Sequence, residues 1–206
     1  MKTIFHYLIL IAVLYIPSCG VAGRNDLFEK IKNEFASAPM ITLEVEIISH
    51  SKIFESADSS TGMISIANDG RYCARLDEDV YLFDGKCIWE VSAENRQATK
   101  QCLKEGEKFE NRLFFLKDLD NYYNAKAVKG DAQYLLILKK KRTSSLPDSL
   151  NVYLDSQYGA ISKIDYHDLN GDLNEVIIKK QTILNGIDSS IFHIQLPDST
   201  EVINLP

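Results

Sequence analysis

Apolar and polar positions alternate along most of the chain. From Ile41 to His50, the residues Ile41, Leu43, Val45 and Ile47 fall on one side, and Thr42, Glu44 and Glu46 on the other. That period of two predicts a half-buried antiparallel strand. Ser56 to Thr61 is polar and reads as a loop or turn. Gly62–Ala67 and Arg71–Leu76 flank Asn68-Asp69-Gly70, and Val80–Gln101 is built around Asp84-Gly85. Asp-Gly between alternating apolar residues is a strong hairpin signal, because a type I′ turn needs positive φ at both central positions. A two-residue turn would set Phe83 opposite Lys86, Leu82 opposite Cys87 and Val80 opposite Trp89. One face then carries Val80, Leu82, Cys87, Trp89 and Val91, all apolar. The other carries Tyr81, Phe83, Lys86, Ile88 and Glu90, which are mixed. So apolar a face has to cover a core, a cavity or a partner.

The period changes twice. Asn25 or Asp26 can cap a helix to about Ser37, with Leu27, Phe28, Ile31 and Phe35 on one stripe. Glu107–Ala125 repeats Phe109, Leu113, Leu116, Leu119 and Tyr123 at helical spacing, and is unusually aromatic. It reads as a helix that packs on a sheet or covers an apolar cavity. Strands resume at Gln133–Lys139, Leu150–Asp155, Ile161–Asp168, Asn174–Leu184 and Ser189–Gln195, and Phe192–Ile203 closes the chain as an edge segment. The sum is ten or eleven strands in sequential hairpins and two helices. No helix alternates with strand, so a parallel α/β sheet is excluded. The expected class is mainly β (α+β): a strongly curved antiparallel sheet, an unclosed half-barrel, with helices over its concave face.

Composition adds limits. The 206 residues are 45% apolar and 25% charged, with a net charge of −6. That balance disfavours nucleic acid or an anionic membrane as the main partner. The basic run Lys139–Arg142 reads as a solvated strand end, or as a dock for an acidic partner or phospholipid headgroups. Residues 1–22 read as an export signal, with Lys2 ahead of the apolar run Ile4–Ile16 and small residues from Pro17 to Gly23. Residues 23–206 then form one domain. Ile16-Pro17-Ser18-Cys19 resembles a bacterial lipobox, which would leave Cys19 lipidated. Cleavage after Ala22 or Gly23 would release a soluble protein. Of the other cysteines, Cys87 and Cys102 could bridge neighbouring strands or be small buried hydrophobes, and Cys73 is left over.

Catalytic patterns are missing. His50, His167 and His193 lie on separate strands without zinc spacing. No Gly-x-Ser-x-Gly elbow exists. Asp168–Lys179 fails as a calcium loop, with Leu173 where glycine and Lys179 where glutamate belong. These readings point to a binding protein without a cofactor.

The run Val80-x-Leu82-Phe83-Asp84-Gly85-Lys86-Cys87-Ile88-Trp89, followed by Arg96-Gln97-Ala98-Thr99, resembles a hairpin of the LolA-type outer-membrane lipoprotein carriers. Gly62-x-Ile64-x-Ile66 with Gly70-Arg71-Tyr72 is similar to the preceding hairpin of that family. Asp188, Phe192 and Leu196-Pro197 resemble its C-terminal ending. The resemblance implies a half-barrel with a helical lid over an apolar cavity, in a monomeric periplasmic carrier. Such carriers take lipoproteins from an inner-membrane releasing transporter and shield their acyl chains. They pass them to an outer-membrane acceptor. The cavity candidates are Val80, Leu82, Trp89, Phe109, Leu113 and Leu116. The family's arginine latch between lid and sheet has Arg71 and Arg75 as nearest candidates. A lipidated Cys19 would instead make the chain similar to the LolB-type membrane-anchored acceptor. A periplasmic sensor with this half-barrel would add a second domain.

Overall fold

The computed structural model describes residues 29, 33–104, 106, 119–129, 133–143, 146–155 and 160–206. Among them, twelve strands form one curved, unclosed sheet. They are β1 (Met40–Ser51), β2 (Ser56–Ala67), β3 (Tyr72–Leu76), β4 (Asp79–Phe83), β5 (Cys87–Ser92), β6 (Gln97–Cys102), β7 (Tyr123–Lys129), β8 (Gln133–Lys140), β9 (Ser149–Asp155), β10 (Ile161–His167), β11 (Leu173–Leu184) and β12 (Glu201–Leu205). Their order across the sheet is β12-β6-β5-β4-β3-β2-β1-β11-β10-β9-β8-β7.

β1 is the seam. On one side it pairs with β2 along its whole length, from Met40↔Ala67 to Ser51↔Ser56. On the other it pairs with β11, from Met40↔Leu184 to His50↔Leu173, with a register shift between Glu44 and Val45. Two antiparallel meanders, β2–β6 and β7–β11, spread from this seam. The chain ends by laying β12 parallel to β6.

Alternation along β1 sorts the sheet into two faces. Ile41, Leu43 and Val45 join Ile64, Ile66 and Ala74 and, across the seam, Ile164, Val152 and Leu138 in one buried cluster. Phe35, on a helical turn at 33–37, packs into it and is 1% exposed. Met40 points the other way. It joins Ala67, Cys73, Leu82 and Phe192 in a second cluster on the opposite face.

The two-residue turn expected at Asp84-Gly85 is corrected. The observed pairs are Val80↔Val91, Leu82↔Trp89 and Phe83↔Ile88, so four residues separate the paired positions. The Asp84 carboxylate closes the loop itself, accepting the N–H groups of Lys86 (2.8 Å) and Cys87 (2.7 Å). The slip is two residues, so side-chain parity survives and the apolar face keeps its members.

Three other expectations are corrected. Ser189–Gln195 is not a strand: Ser189–Phe192 is a 3₁₀ turn. Ser56–Thr61 is not a loop but the first half of β2, paired with Glu46–Ser51. Its serines match a strand that is polar on both faces there. The helix expected to reach Ala125 ends at Tyr122, within a short helix Leu119–Tyr122, and Tyr123 starts β7. Residues 107–118, the rest of that segment, lie outside the described residues.

Candidate functional site

The site candidates are the two apolar faces and what crosses them. On the second face a strap, residues 187–194, runs over Met40, Ala67, Cys73 and Leu82. Asp188 caps its 3₁₀ turn, Ser189–Phe192, by accepting the N–H of Ser190 (3.0 Å). This fixes Phe192 over the sheet, where it is 1% exposed. Ile187, Ile191 and Ile194 pack around it at half burial.

Arg71 holds the strap from the sheet side. The Asp69 carboxylate pairs with its guanidinium at 2.7 Å. That guanidinium lies 4.8 Å from the centre of the Phe192 ring, and donates to Ser189 Oγ at 3.4 Å. The Arg71 hydrogen bond holds the Asp69 carboxyl below its ordinary range, against the effect of burial. Arg71 therefore touches the C-terminal strap at two of its residues, Phe192 and Ser189. Arg75, the other latch candidate, is exposed four residues along, with Cys73 between the two arginines. Burial pushes the Cys73 thiol up, with Arg75 acting in the opposite sense.

Val80, Leu82 and Trp89 are together, as their alternation suggested, on this strap-covered face. Leu82 is fully buried, while Val80 and Trp89 are half-buried beside it. Trp89 is oriented by its Nε1–H, which donates to Asp84 Oδ2 at 3.1 Å. Lys100 Nζ stands 4.6 Å over the ring. Beneath the loop, Cys87 and Cys102 are direct partners on β5 and β6 and form a disulfide. Phe109, Leu113 and Leu116 lie outside the described residues, as does Cys19, so the cavity candidates are assembled only in part.

The first face is the larger apolar surface. Among the described residues, Gln181, opposite Leu43, has a buried Oε1 that accepts no hydrogen bond. An acceptor in apolar surroundings can take one N–H from a ligand. Sequence reasoning passed over Gln181 and Met40, and left Cys73 without a place. Only Met40 carried a signal, the alternation of β1 continued one residue back.

On the second face beyond the strap the sheet is polar. Lys163 bridges Glu175 (2.7 Å) and Asp165 (3.3 Å), His50 meets Glu175 at 3.1 Å, and Asn151 donates to Asp165 at 2.8 Å. The Lys163 and His50 hydrogen bonds keep the Glu175 carboxyl low. Each charge is matched by a neighbour, which suits a surface that stays in water.

No family model matches the chain, and no curated protein sequence matches it. Solved structures do. An uncharacterized conserved protein from Thermus thermophilus is similar over 88% of this chain and 98% of its own, at 7% identity and a TM-score of 0.53. That likeness is one of fold. A DUF1329 family protein from Desulfovibrio piger (12% identity, 82% and 95% covered, TM-score 0.47) and a LolA superfamily protein from Nitrosomonas europaea (9% identity, 83% and 97% covered, TM-score 0.44) are similar too. At such identities a likeness describes the fold alone. Ligand and partner have to be argued from this chain's own residues.

Proposed function

We propose that the protein is a periplasmic carrier, not an enzyme. It binds the acyl chains of lipoproteins against the apolar face of its curved sheet and delivers them to the outer membrane. One observation carries this reading: the first face is continuous across the seam. Ala74, Ile64, Leu43, Ile164, Val152 and Leu136, with Val176 and Ile178 of the intervening β11 packed against them, extend over seven strands in a single apolar cluster. Such a surface offers area rather than chemistry, which is what an acyl chain needs. Phe109, Leu113 and Leu116 are the proposed cover, and Gln181 the proposed acceptor for an amide at the acylated end. The slot of Val80, Leu82 and Trp89 is the proposed second apolar wall, reached when the strap lifts from Arg71.

The energetics favour partial cover. Each buried methylene contributes about 0.8 kcal/mol. A fully enclosed set of acyl chains would be held too tightly to pass on. In this reading residues 1–22 are removed on export. An inner-membrane releasing transporter loads the carrier, and an outer-membrane acceptor unloads it.

The test is mass spectrometry of the protein purified from its own compartment. Co-purified acylated peptides or lipids are expected. A clean protein that also ignores added lipoproteins would sink the reading. The same spectra report Cys19: an acylated Cys19 would move the assignment to a membrane-anchored acceptor.

A further inference from the structure

The register places three turns at one end of the sheet. Successive partners form a single rung: Lys139↔Ser149 in β8 and β9, His167↔Leu173 in β10 and β11, Leu173↔His50 in β11 and β1, and His50↔Ala57 in β1 and β2. Leu150↔Tyr166 joins the two halves of that rung. Just beyond it lie the β1–β2 turn (52–55), the β10–β11 turn (168–172) and the basic β8–β9 connection starting at Lys141. The first two are tied together, because the Lys52 N–H donates to Asp172 Oδ1 at 2.8 Å.

The apices of the first two turns are apolar. Ile53 is 76% exposed, Phe54 80% and Leu169 79%, far above any other large hydrophobic side chain among the described residues. Phe54 is held at its apex, its N–H bonded to Ser51 Oγ and the next residue, Glu55, at φ 49°. Beside them stand Lys52, Lys141 and Arg142, all exposed, with Arg142 stacked 5.0 Å from the Tyr122 ring centre. Some of the nearby acids are paired or bonded: Asp148 with Lys140 at 2.6 Å, Glu175 with Lys163, and Asp168 and Asp172 through backbone N–H groups, while Asp58 is exposed on β2. Glu55 is exposed at the tip. The chain is net −6, but this end is not acidic in proportion.

We propose that this end of the sheet contacts an anionic lipid bilayer. Ile53, Phe54 and Leu169 insert to the acyl boundary, and Lys141 and Arg142 meet headgroup phosphates. The shape decides for lipid over protein. A stable protein interface buries roughly 800 Å² per partner on a closely packed patch. Two small apices, Ile53-Phe54 on one turn and Leu169 on the next, offer no such patch, whereas a bilayer interface closes around each one. No helix among the described residues is long and apolar enough to cross a membrane, so the contact is interfacial. The inference does not rest on the acyl-chain reading.

The test uses residues 23–206, since the whole described sheet lies within them, and sedimentation with vesicles of phosphatidylcholine alone or mixed with phosphatidylglycerol. Binding to the mixed vesicles is expected, weakening with salt. The paired change Ile53→Ser and Phe54→Ser should weaken it at least about tenfold, as should Leu169→Ser together with Phe54→Ser. Lys141→Glu with Arg142→Glu should abolish the preference for phosphatidylglycerol. In a Phe54→Trp variant, brominated acyl chains should quench the introduced indole but not Trp89, which sits near the far end of the sheet. Vesicle binding that survives the tip changes would overturn the proposal. So would no binding by a chain whose circular dichroism matches the folded protein. Capture of a protein by the tip without vesicle binding would assign the end to a protein partner and overturn it equally.

Discussion

Three donors converge on the Asp84 carboxylate: the N–H groups of Lys86 and Cys87, and Trp89 Nε1–H. Burial alone would raise this carboxyl, but the Cys87 and Lys86 N–H groups and Trp89 outweigh it and hold it low. Such a group stabilises the fold above its unfolded value, about pH 3.9, and that contribution is lost as pH falls through the lower folded value. Asp84→Ala should therefore cost about 2 kcal/mol at neutral pH. Urea titrations at pH 7 and pH 2.5 check this; the deficit should shrink in acid, and an equal deficit at both would contradict the carboxylate's role. Gly62 makes a different demand. A Cβ there would lie 1.9 Å from the Arg75 carbonyl oxygen on β3. Backbone cannot yield as a side-chain tip does, so Gly62→Ala should cost about 3 kcal/mol, read as a lower urea midpoint. At this scale the sequence was half legible. Asp84-Gly85 marked the turn correctly, but the count of turn residues depended on a side chain acting as a backbone acceptor, which no pattern of apolar positions encodes.

Elements were legible where both faces differ and obscure where they do not. β1 and the two faces of the β4–β5 hairpin alternate and were read correctly, although the hairpin's register was not. The first half of β2, Ser56-Ala57-Asp58-Ser59-Ser60, is polar on both faces and reads as a loop until β1 is seen to pair with it. β7, Tyr-Asn-Ala-Lys-Ala-Val-Lys, is an edge strand with lysines and alanines rather than β-branched residues, a composition that keeps edges from pairing further. Its first residues continue the helical spacing of the segment before it, so the boundary at Tyr123 was hidden. The Cys87–Cys102 link belongs to this scale. It joins β5 to β6 across a separation of 15 residues, next to the edge strand β12. Restricting a loop of that length in the unfolded chain should contribute about 3 kcal/mol. Thermal melts should accordingly drop on adding reductant, and a Cys87→Ser, Cys102→Ser chain should melt at the reduced value with or without it. A melt unmoved by reductant would mean that the strands hold each other without the bond.

For the whole molecule, the two connections that leave the meanders matter most, and neither was legible. From β6 to β7 the order spans ten strand spacings, about 48 Å if the sheet were flat. Sixteen residues separate Cys102 from Leu119, so a flat sheet would need that link almost straight, whereas curvature shortens the crossing. The second connection, from β11 to β12, carries the strap over the opposite face before β12 pairs with β6. Pairings of this kind join residues a hundred positions apart, beyond the reach of local periodicity. The strap is thus one long-range cover, held by burial of Phe192 and by the Arg71 contacts with Phe192 and Ser189. Cys73, a free buried thiol beneath it, reports its opening. Because the thiol is 2% exposed, a reagent reaches it only when the strap lifts or the sheet unfolds. Removing the Arg71 stacking should lower the opening free energy by about 1 kcal/mol. Native-state labelling of Cys73 in Arg71→Ala should then run roughly fivefold faster than in the parent. The rate of global unfolding should change less. Arg75→Ala makes the control: it removes a neighbouring charge from the thiol without touching the strap. If both variants label at the same rate, the strap is not held by Arg71, and opening of the second face is limited by the Phe192 packing alone.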